Sequence, residues 1–320
     1  EHAIAKRGYT LKATAGTDYK IRIEYMQAGA EALLRFDLGI YRHISPEMVV
    51  DRVKEADIVI FAGGISPSLE GEEMYSVNSP GFAGGDRTSI ELPQVQRDIL
   101  KALKKAGKKV VFVNCSGSAV ALVPEMESCD AILQAWYPGQ AGGLAVADVL
   151  FGDFNPSGKL PVTFYKNTDQ LPDFEDYSMK NRTYRYMTEV PLFPFGYGLS
   201  YTTFDISKGR LNKKTISAGQ DLNFKVNVKN TGKYDGAEVI QVYVRKVDDA
   251  EGPIKSLRAF RRVPLKAGET CVVSIDLLPT TFEFFDPTTN TMRIMPGKYE
   301  IMYGNSSDIP SGNKLSVTLR

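Results

Sequence analysis

The sequence predicts an α/β domain with a mainly parallel sheet, followed by an all-β sandwich of the immunoglobulin or fibronectin type. Between about residues 41 and 205, strand-like apolar runs alternate with amphipathic helices, which is the pattern of a parallel sheet with crossover helices. From residue 206 to 320, about seven short strands follow one another, and Gly, Pro, Asn or Asp punctuate them. A chain of 320 residues is long enough for two or three such domains.

Residues 1–40 are predicted to be the terminal strands of a β-rich domain. Residues 19–25 alternate apolar or aromatic side chains with charged ones, which is typical of one half-buried strand. The preceding YTLKATAG is a second candidate strand, and two strands do not make a stable unit alone. We therefore expect that the chain is the C-terminal part of a longer protein, or that it pairs with a segment outside it.

Local signals mark the helices and strands of the α/β domain. Ser45 and Pro46 predict a helix start in SPEMVVDRVKEA, and Pro93 and Gly107 bracket the helix in LPQVQRDILKALKKAG. Pro124 is expected to end or kink the short helix in SAVALVPEME. Buried strands are predicted in DIVIFAGG, KKVVFVNCSG and DAILQAW, and a further helix in GQAGGLAVADVLFG.

The loops that leave these strands are expected to share one edge of the sheet. In open parallel sheets, ligands bind beyond the carboxyl ends of the strands. The loop SLEGEEMYSVNSPGFAGGDRTSIELP (residues 68–93), NCSG and WYPGQ each follow a strand directly. The sequence therefore places a ligand site where these three segments meet.

Alternation also marks the strands of the sandwich. It is clearest in DLNFKVNVKNTG, where Leu222 and Phe224 begin one apolar face. The other predicted strands lie in AEVIQVYVRK, LRAFRRVPL, CVVSIDL, TMRIMPGKYEIMYG and KLSVTLR. The segment that joins the two domains contains PLFPFGYGLSYTTF, whose aromatic residues and prolines predict a packed joint rather than a flexible linker.

Composition argues against several classes of function. The net charge is +1 and no Lys/Arg-rich block stands out, so a nucleic-acid partner is not expected. No apolar run approaches the ~20 residues that a membrane span needs. With two histidines a His-rich metal site is not expected, and no cofactor is predicted. Three cysteines make no disulfide framework, and Cys129 and Cys271 could pair or stay free.

Three glutamates lie within four positions of the loop after the first buried strand: Glu70, Glu72 and Glu73. Taken alone they fit a solvated acidic turn, because most exposed charge has no further role. One could instead be a general acid, since nearby negative charge and partial burial both raise a carboxyl pKa. Gly63 and Gly64 after the same strand suggest nucleotide binding, but no acidic ribose partner lies about 20 residues further on.

Longer strings resemble glycoside hydrolase family 3. AWYPGQAGGLAVADVLFGDFNPSGKLPVTF (135–164) and YRYMTEVPLFPFGYGLSYTTF (184–204) are similar to signature segments of that family. FAGGISPSLEGEEM (61–74) and GGDRTSIELPQVQ (84–96) resemble the acid/base region of its β-xylosidase and β-glucosidase branch. The resemblance covers about residues 41–320, and residues 12–35 are similar to the end of a protective-antigen-like domain that is often inserted in this family.

The resemblance implies an exo-acting, retaining β-xylosidase or β-glucosidase that acts on plant-type oligosaccharides or other β-glycosides. In that family an aspartate on an N-terminal barrel is the nucleophile, and a glutamate on the α/β domain is the general acid/base. No aspartate of this chain can be assigned the nucleophile's role. The barrel is therefore expected outside this chain, as its partner, and the isolated chain is expected to be inactive. Family members with these appended domains are commonly exported, which implies a periplasmic or secreted location.

The family's acid/base motif favours Glu72 as the general acid/base of this chain. EGEE matches the first positions of the motif and places its glutamate there. Glu73 stands where the motif has glycine, and Asp86-Arg87 follows only after an insertion. Because of this departure, Glu70 is kept as a second assignment.

Asp86, Arg87 and Trp136 are further candidates for substrate binding. Asp86 and Arg87 could position substrate, or they could form a structural ion pair that folds the loop back. Trp136 could stack on a sugar face, because an aromatic ring offers a flat apolar platform, or it could pack in the core. An alternative for the whole chain is a non-catalytic carbohydrate-binding or structural module.

Overall fold

The computed structural model describes residues 8–26, 29, 34–40, 43–74 and 77–320. The chain divides into two compact units, Glu1–Ile44 and Ser45–Arg320. In the described part of the first unit no strand is formed, and the side chains of Tyr19, Ile21 and Ile23 are 41%, 58% and 47% exposed. The predicted half-buried strand over residues 19–25 is therefore wrong for this structure, because a strand needs a hydrogen-bonded neighbour and buries a face against it. The assignment of residues 1–40 to a β-rich domain stays a prediction.

The second unit begins with the α/β region. Its elements in chain order are α1 (Pro46–Arg52), β1 (Ile58–Gly64), β2 (Asn78–Ser79), β3 (Phe82–Ala83), β4 (Asp86–Arg87), α2 (Gln94–Lys105), β5 (Lys109–Cys115), α3 (Val123–Ser128), β6 (Ala131–Gln134), α4 (Gly142–Phe151) and α5 (Thr183–Tyr186), with a 3₁₀ turn at Thr168–Gln170. β1, β5 and β6 form the predicted parallel sheet, in the order β1-β5-β6. The prediction that β1 is buried is wrong, since Ile58 and Ile60 are 57% and 51% exposed.

The helix signals are confirmed with one correction. Ser45 caps α1, and its hydroxyl accepts a hydrogen bond from the backbone N–H of Met48. Gly107 follows α2 in the left-handed region, at φ +76°. Pro124 was expected to end or kink α3, but it lies in the first turn of that helix. A proline is tolerated there because the N–H that it lacks would have no partner inside the helix.

The sandwich follows in the same unit. Its strands are β7 (Phe204–Ile206), β8 (Arg210–Leu211), β9 (Thr215–Ile216), β10 (Leu222–Asn230), β11 (Gly236–Lys246), β12 (Ser256–Leu265), β13 (Thr270–Leu277), β14 (Glu283–Asp286), β15 (Thr291–Ile294), β16 (Gly297–Gly304) and β17 (Lys314–Leu319), with a 3₁₀ turn at Pro279–Phe282. One sheet has the order β13-β10-β7, with β8 also on β10; the other has the order β12-β11-β16-β17-β9, and β14 pairs with β15.

The alternating pattern predicted for the sandwich strands is confirmed on β10 but not on β11, most of whose residues are buried on both faces. On β10, Leu222 and Phe224 are fully buried in the core, whereas Lys225 is exposed. The string TMRIMPGKYEIMYG makes two strands, β15 and β16, rather than one. Pro296 lies between them, and a proline has no N–H to donate to a ladder of strands.

The joint between the α/β region and the sandwich is packed, as predicted. The ring of Tyr184 stacks on Phe195 at 4.3 Å between centroids, and it meets Tyr243 of the sandwich edge-on at 5.7 Å. A buried ion pair crosses the same joint, with Lys159 Nζ 2.7 Å from Glu238 Oε1. The two regions therefore form one unit.

Two open questions from composition are answered within the described residues. Cys115, Cys129 and Cys271 are all free, so Cys129 and Cys271 do not pair. Among the helices that the structure describes, none is both long and apolar enough to cross a membrane.

Candidate active site

The three polar segments that leave the parallel sheet meet at one edge, as the topology predicts. Tyr137, after β6, donates its hydroxyl to the carbonyl of Ile65, after β1, at 2.8 Å. Ser118, after β5, donates its hydroxyl to Glu70 Oε1 at 3.3 Å. The glutamate loop therefore lies beside the segments that follow β5 and β6, so the predicted meeting of the three segments is confirmed.

The glutamate loop has a defined backbone. The N–H of Gly71 donates to the carbonyl of Gly85 at 3.3 Å, and the N–H of Met74 donates to that of Gly84 at 2.8 Å. Gly85 has φ +93°, and a Cβ there would lie 1.9 Å from the oxygen of Gly71. Only glycine allows this approach. The GGDR stretch closes the loop on the segment that carries the glutamates.

Glu70 lies half-buried at this edge and has partners inside the protein. Its carboxylate accepts the hydrogen bond from Ser118. The Ser118 hydroxyl in turn accepts a hydrogen bond from Arg87 Nη1 at 2.8 Å. The three side chains form one chain of hydrogen bonds, in which Ser118 connects a cation to a carboxylate.

Arg87 fastens the end of the loop to the segment after β5. Besides Ser118, its guanidinium donates to the carbonyls of Ala119 at 3.0 Å and Ser89 at 3.3 Å, and its Nη2 is buried with no hydrogen-bond partner among the described residues. Burial lowers the pKa of Arg87, and the negative charges of Glu70 and Glu91 oppose that shift.

Asp86 and Arg87 do not form the structural ion pair that was considered. The structure describes both side chains, and it places Asp86 in solvent while the guanidinium of Arg87 points to Ser118 and to backbone carbonyls. The reason is that neighbouring residues of a strand, here β4, point to opposite sides. Roles of either residue in substrate binding stay predictions.

Glu72 and Glu73 differ from Glu70. Both side chains are exposed, and Glu72 makes no hydrogen bond or ion pair with any other described residue. The backbone of Glu73 is in the left-handed region, at φ +52°. The carboxylate of Glu72 is thus exposed to solvent, and of the three glutamates, all of which the structure describes, only Glu70 is hydrogen-bonded to Ser118 at the sheet edge.

Trp136 lies at the start of the segment after β6. Its indole is half-buried against the α/β core and meets Phe164 edge-on at 6.0 Å. Its backbone has φ +58°, an uncommon conformation for a bulky residue. Core packing is thus observed for this ring, and stacking on a sugar stays a prediction.

Sequence reasoning missed the residues that hold the loop from outside it. Ser118 and Tyr137 lie three residues after the ends of β5 and β6, so their place at the edge was predictable, but their hydrogen-bond partners were not. Burial and the charge of Glu70 raise the pKa of Tyr137.

Glu91 was also missed, and it fastens the far end of the loop to a distant segment. Its carboxylate accepts hydrogen bonds from the Thr168 N–H at 2.9 Å and from the Thr168 hydroxyl at 2.5 Å, and another from the Ser89 hydroxyl. Burial alone would raise the pKa of Glu91, but these hydrogen bonds outweigh it and lower the pKa to about 2. Glu91 is thus a carboxylate with a structural role.

No group of His, Cys, Asp or Glu within the described residues is arranged to hold a metal ion.

Comparison with known proteins identifies the family to which the chain belongs. The model of the glycosyl hydrolase family 3 C-terminal domain matches residues 7–201, and that of a fibronectin type III-like domain matches residues 238–307. The chain therefore belongs to glycosyl hydrolase family 3, as its resemblance implied. The first match spans residues on both sides of position 40, so it leaves the predicted boundary there untested.

Curated relatives carry the names of glycosidases. The chain is 56% identical to a xylan 1,4-β-xylosidase of Xylanibacter ruminicola over 97% of its own length and 36% of the relative's. It is 38% identical to a periplasmic β-glucosidase of Salmonella typhimurium over 82% of its length and 35% of the relative's. The chain thus spans about a third of the length of these relatives.

Solved structures agree with the fold. A β-glucosidase of Erythrobacter marinus matches with a TM-score of 0.74 at 35% identity, over 86% of this chain and 36% of that one. A β-glucosidase of Listeria innocua in complex with isofagomine matches with a TM-score of 0.70 at 31% identity, over 87% of this chain and 39% of that one. These matches also cover little more than a third of the other protein.

Proposed function

We propose that the full-length protein is an exo-acting, retaining β-glycosidase, a β-xylosidase or β-glucosidase, and that this chain supplies its general acid/base, Glu72. The family membership and the names of the relatives support the reaction class. The nucleophile aspartate, the barrel that carries it and the sugar-selecting pocket belong to the rest of the protein in this proposal.

The exposure of Glu72 carries the assignment over Glu70, and its place in the family motif separates it from the likewise exposed Glu73. A general acid/base that acts on a substrate held by another domain must present its carboxyl group beyond its own domain. Glu72 does so without a hydrogen-bond or ion-pair partner among the described residues, whereas the carboxylate of Glu70 already accepts a hydrogen bond from Ser118. Glu70 is the second candidate, and as a neighbour it would act by orientation and charge.

The chemistry needs two carboxyl groups about 5 to 5.5 Å apart on either side of the scissile bond. The nucleophile attacks the anomeric carbon while Glu72 delivers a proton to the departing oxygen. In the second step, Glu72 takes a proton from the attacking water, and the covalent bond between sugar and nucleophile breaks. A loop whose C-terminal end is held by Arg87 and Glu91 would help to keep Glu72 in place for both steps.

The names of the same relatives support the proposed substrate class and location. Terminal non-reducing sugars of plant-type oligosaccharides are the proposed substrates, since the relative of highest identity quoted above is named a xylan 1,4-β-xylosidase. An extracytoplasmic location is proposed because another relative is named a periplasmic enzyme. Asp86, Arg87 and Trp136 stay candidate substrate-binding residues.

The test compares leaving groups in the full-length enzyme. Glu72→Ala is expected to lose far more rate on an alkyl or sugar aglycone than on a dinitrophenyl glycoside, because a good leaving group departs without a proton. The loss on the poor leaving group is expected to be about 10²- to 10⁴-fold. Glu70→Ala is the matched control and should lose rate on both substrates by similar factors. Equal losses for Glu72→Ala on the two substrates would contradict the assignment.

A further inference from the structure

The loop of residues 172–182, which we call the aromatic loop, presents two aromatic rings almost wholly to solvent. It connects the 3₁₀ turn at Thr168–Gln170 to α5. The side chain of Phe174 is 91% exposed and that of Tyr177 is 90% exposed. Two large apolar rings are thus exposed to solvent three positions apart, and a ligand that buries them would lower the free energy by removing apolar surface from water.

The backbone beneath these rings is fixed. The guanidinium of Arg182 donates to three carbonyls of the loop, those of Ser178 at 2.9 Å, Asp173 at 3.2 Å and Asp176. The carboxylate of Asp173 accepts from the N–H of Glu175 at 2.9 Å, and that of Asp176 accepts from the N–H of Ser178 at 2.8 Å. Little conformational entropy would thus be lost when a ligand covers the rings.

A polar cavity of about 310 Å³ adjoins the aromatic loop. Pro172 and Asp176 of the loop line it, next to Phe174 and Tyr177 in the chain. Its other lining groups include carboxylates, amides and an ammonium group, contributed by Asp169, Gln170, Lys180, Asn181 and Glu189. The aromatic loop therefore carries two flat apolar rings and also supplies part of the lining of a hollow that has both donors and acceptors.

This combination favours a saccharide over other ligands. A pyranose ring has an apolar face of C–H groups, which fits a flat aromatic ring, and an edge of hydroxyls, which both donate and accept hydrogen bonds. The aromatic loop carries three carboxylates, Asp173, Glu175 and Asp176, against the two cations of Lys180 and Arg182, so it offers no basic patch for nucleic acid or an anionic membrane surface.

We propose that Phe174 and Tyr177 form a saccharide-binding platform, and that the adjoining cavity holds the hydroxyls of the same sugar chain. The ligand class is a neutral β-linked oligosaccharide or polysaccharide, and in this choice the proposal rests on the proposed function. The platform would hold sugar units of a long substrate, so binding should strengthen with chain length.

Affinity gel electrophoresis of the full-length protein in soluble xylan, and separately in hydroxyethylcellulose, tests the platform. The double variant Phe174→Ala/Tyr177→Ala should bind the retarding polymer about tenfold more weakly than the parent, because both stacking surfaces are lost. The matched control is Phe260→Ala/Tyr234→Ala, which removes a phenylalanine and a tyrosine that are 68% and 63% exposed on the sandwich. This control should be retarded like the parent. Tyr177→Phe keeps the ring and should stay within about twofold of the parent.

Three results would overturn the proposal. The parent could run unretarded in both polymers, or the platform variant could be retarded as strongly as the parent. The platform variant could also change its elution volume on gel filtration or its thermal midpoint, which would mean that the rings contact protein, either another part of the chain or a second copy. Because retardation needs no turnover, a protein that binds polymer but cleaves no glycoside would refute the proposed function and leave the platform intact.

Discussion

The buried ion pair at the joint of the α/β region and the sandwich should be a main determinant of stability. Lys159 and Glu238 are only 12% and 7% exposed, and their charged atoms lie 2.7 Å apart. Lys159 also donates to the carbonyl of Gly198 at 2.8 Å, and Glu238 accepts from Asn305 Nδ2 at 2.9 Å. Lys159→Met keeps most of the side-chain volume but leaves the carboxylate of Glu238 buried without its cation.

The expected cost of Lys159→Met is about 3 kcal/mol of unfolding free energy. Removing one partner of a buried ion pair costs about 3–5 kcal/mol, because the remaining charge is buried and uncompensated. Two hydrogen bonds to Glu238 persist, from Asn305 and from the N–H of Val239, so the low end of that range applies. At about 2.1 cal/mol/K of unfolding entropy per residue, a chain of 320 residues loses about 1.5 °C of thermal midpoint per kcal/mol, so we expect a fall of about 4–5 °C.

Scanning calorimetry and urea unfolding of the parent and variants measure this cost. Lys104→Met is the matched control, since Lys104 and Asp130 lie 3.0 Å apart but are each 43% exposed, and an exposed pair contributes less than about 1 kcal/mol. The double variant Lys159→Met/Glu238→Gln should recover part of the loss, because no unpaired charge remains. If Lys159→Met costs no more than Lys104→Met, the joint is not a desolvated interface and the reasoning fails.

Two further predictions concern the glutamate loop. Gly85→Ala should destabilise the loop by at least about 1–2 kcal/mol, because φ is +93° and the new Cβ would meet the oxygen of Gly71. Limited proteolysis within residues 65–93 should therefore become faster. An unchanged cleavage rate would contradict the close approach of Gly85 to Gly71. The pKa of Glu91 is lowered to about 2, so the carboxylate stabilises the fold at pH values above its pKa in the unfolded chain, and this stabilisation is lost as the pH falls towards 2. Glu91→Gln should flatten this part of the curve of stability against pH. Parallel curves for the parent and the variant would refute this role of Glu91.

Much of the fold could be predicted because its signals are local. The cap at Ser45 and the alternation along β10 each depend on residues close in sequence, and both are confirmed. Pro124 was misjudged because one proline can start or end a helix, and only the neighbouring packing decides which. The strand expected over residues 19–25 failed because a strand depends on a partner that its own sequence does not name.

The edge of the sheet at which the glutamate loop lies was predictable from topology, but the hydrogen bonds at that edge were not. Ser118 and Glu70 are 48 positions apart, and Glu91 and Thr168 are 77 positions apart. Such pairs are set by tertiary packing, for which a single sequence has no periodicity. The division between an exposed Glu72 and a held Glu70 therefore emerged only with the structure.

The central claim, that Glu72 is the general acid/base of the full-length enzyme, is tested most directly by azide rescue. On a dinitrophenyl glycoside, Glu72→Ala should accumulate the glycosyl-enzyme, since the residue that activates water is gone. Azide needs no general base and fits the space that the side chain leaves, so it should restore turnover and yield a β-glycosyl azide. Glu70→Ala should yield none. Rescue of Glu70→Ala but not of Glu72→Ala would assign the role to Glu70, and rescue of neither would place the proton donor elsewhere.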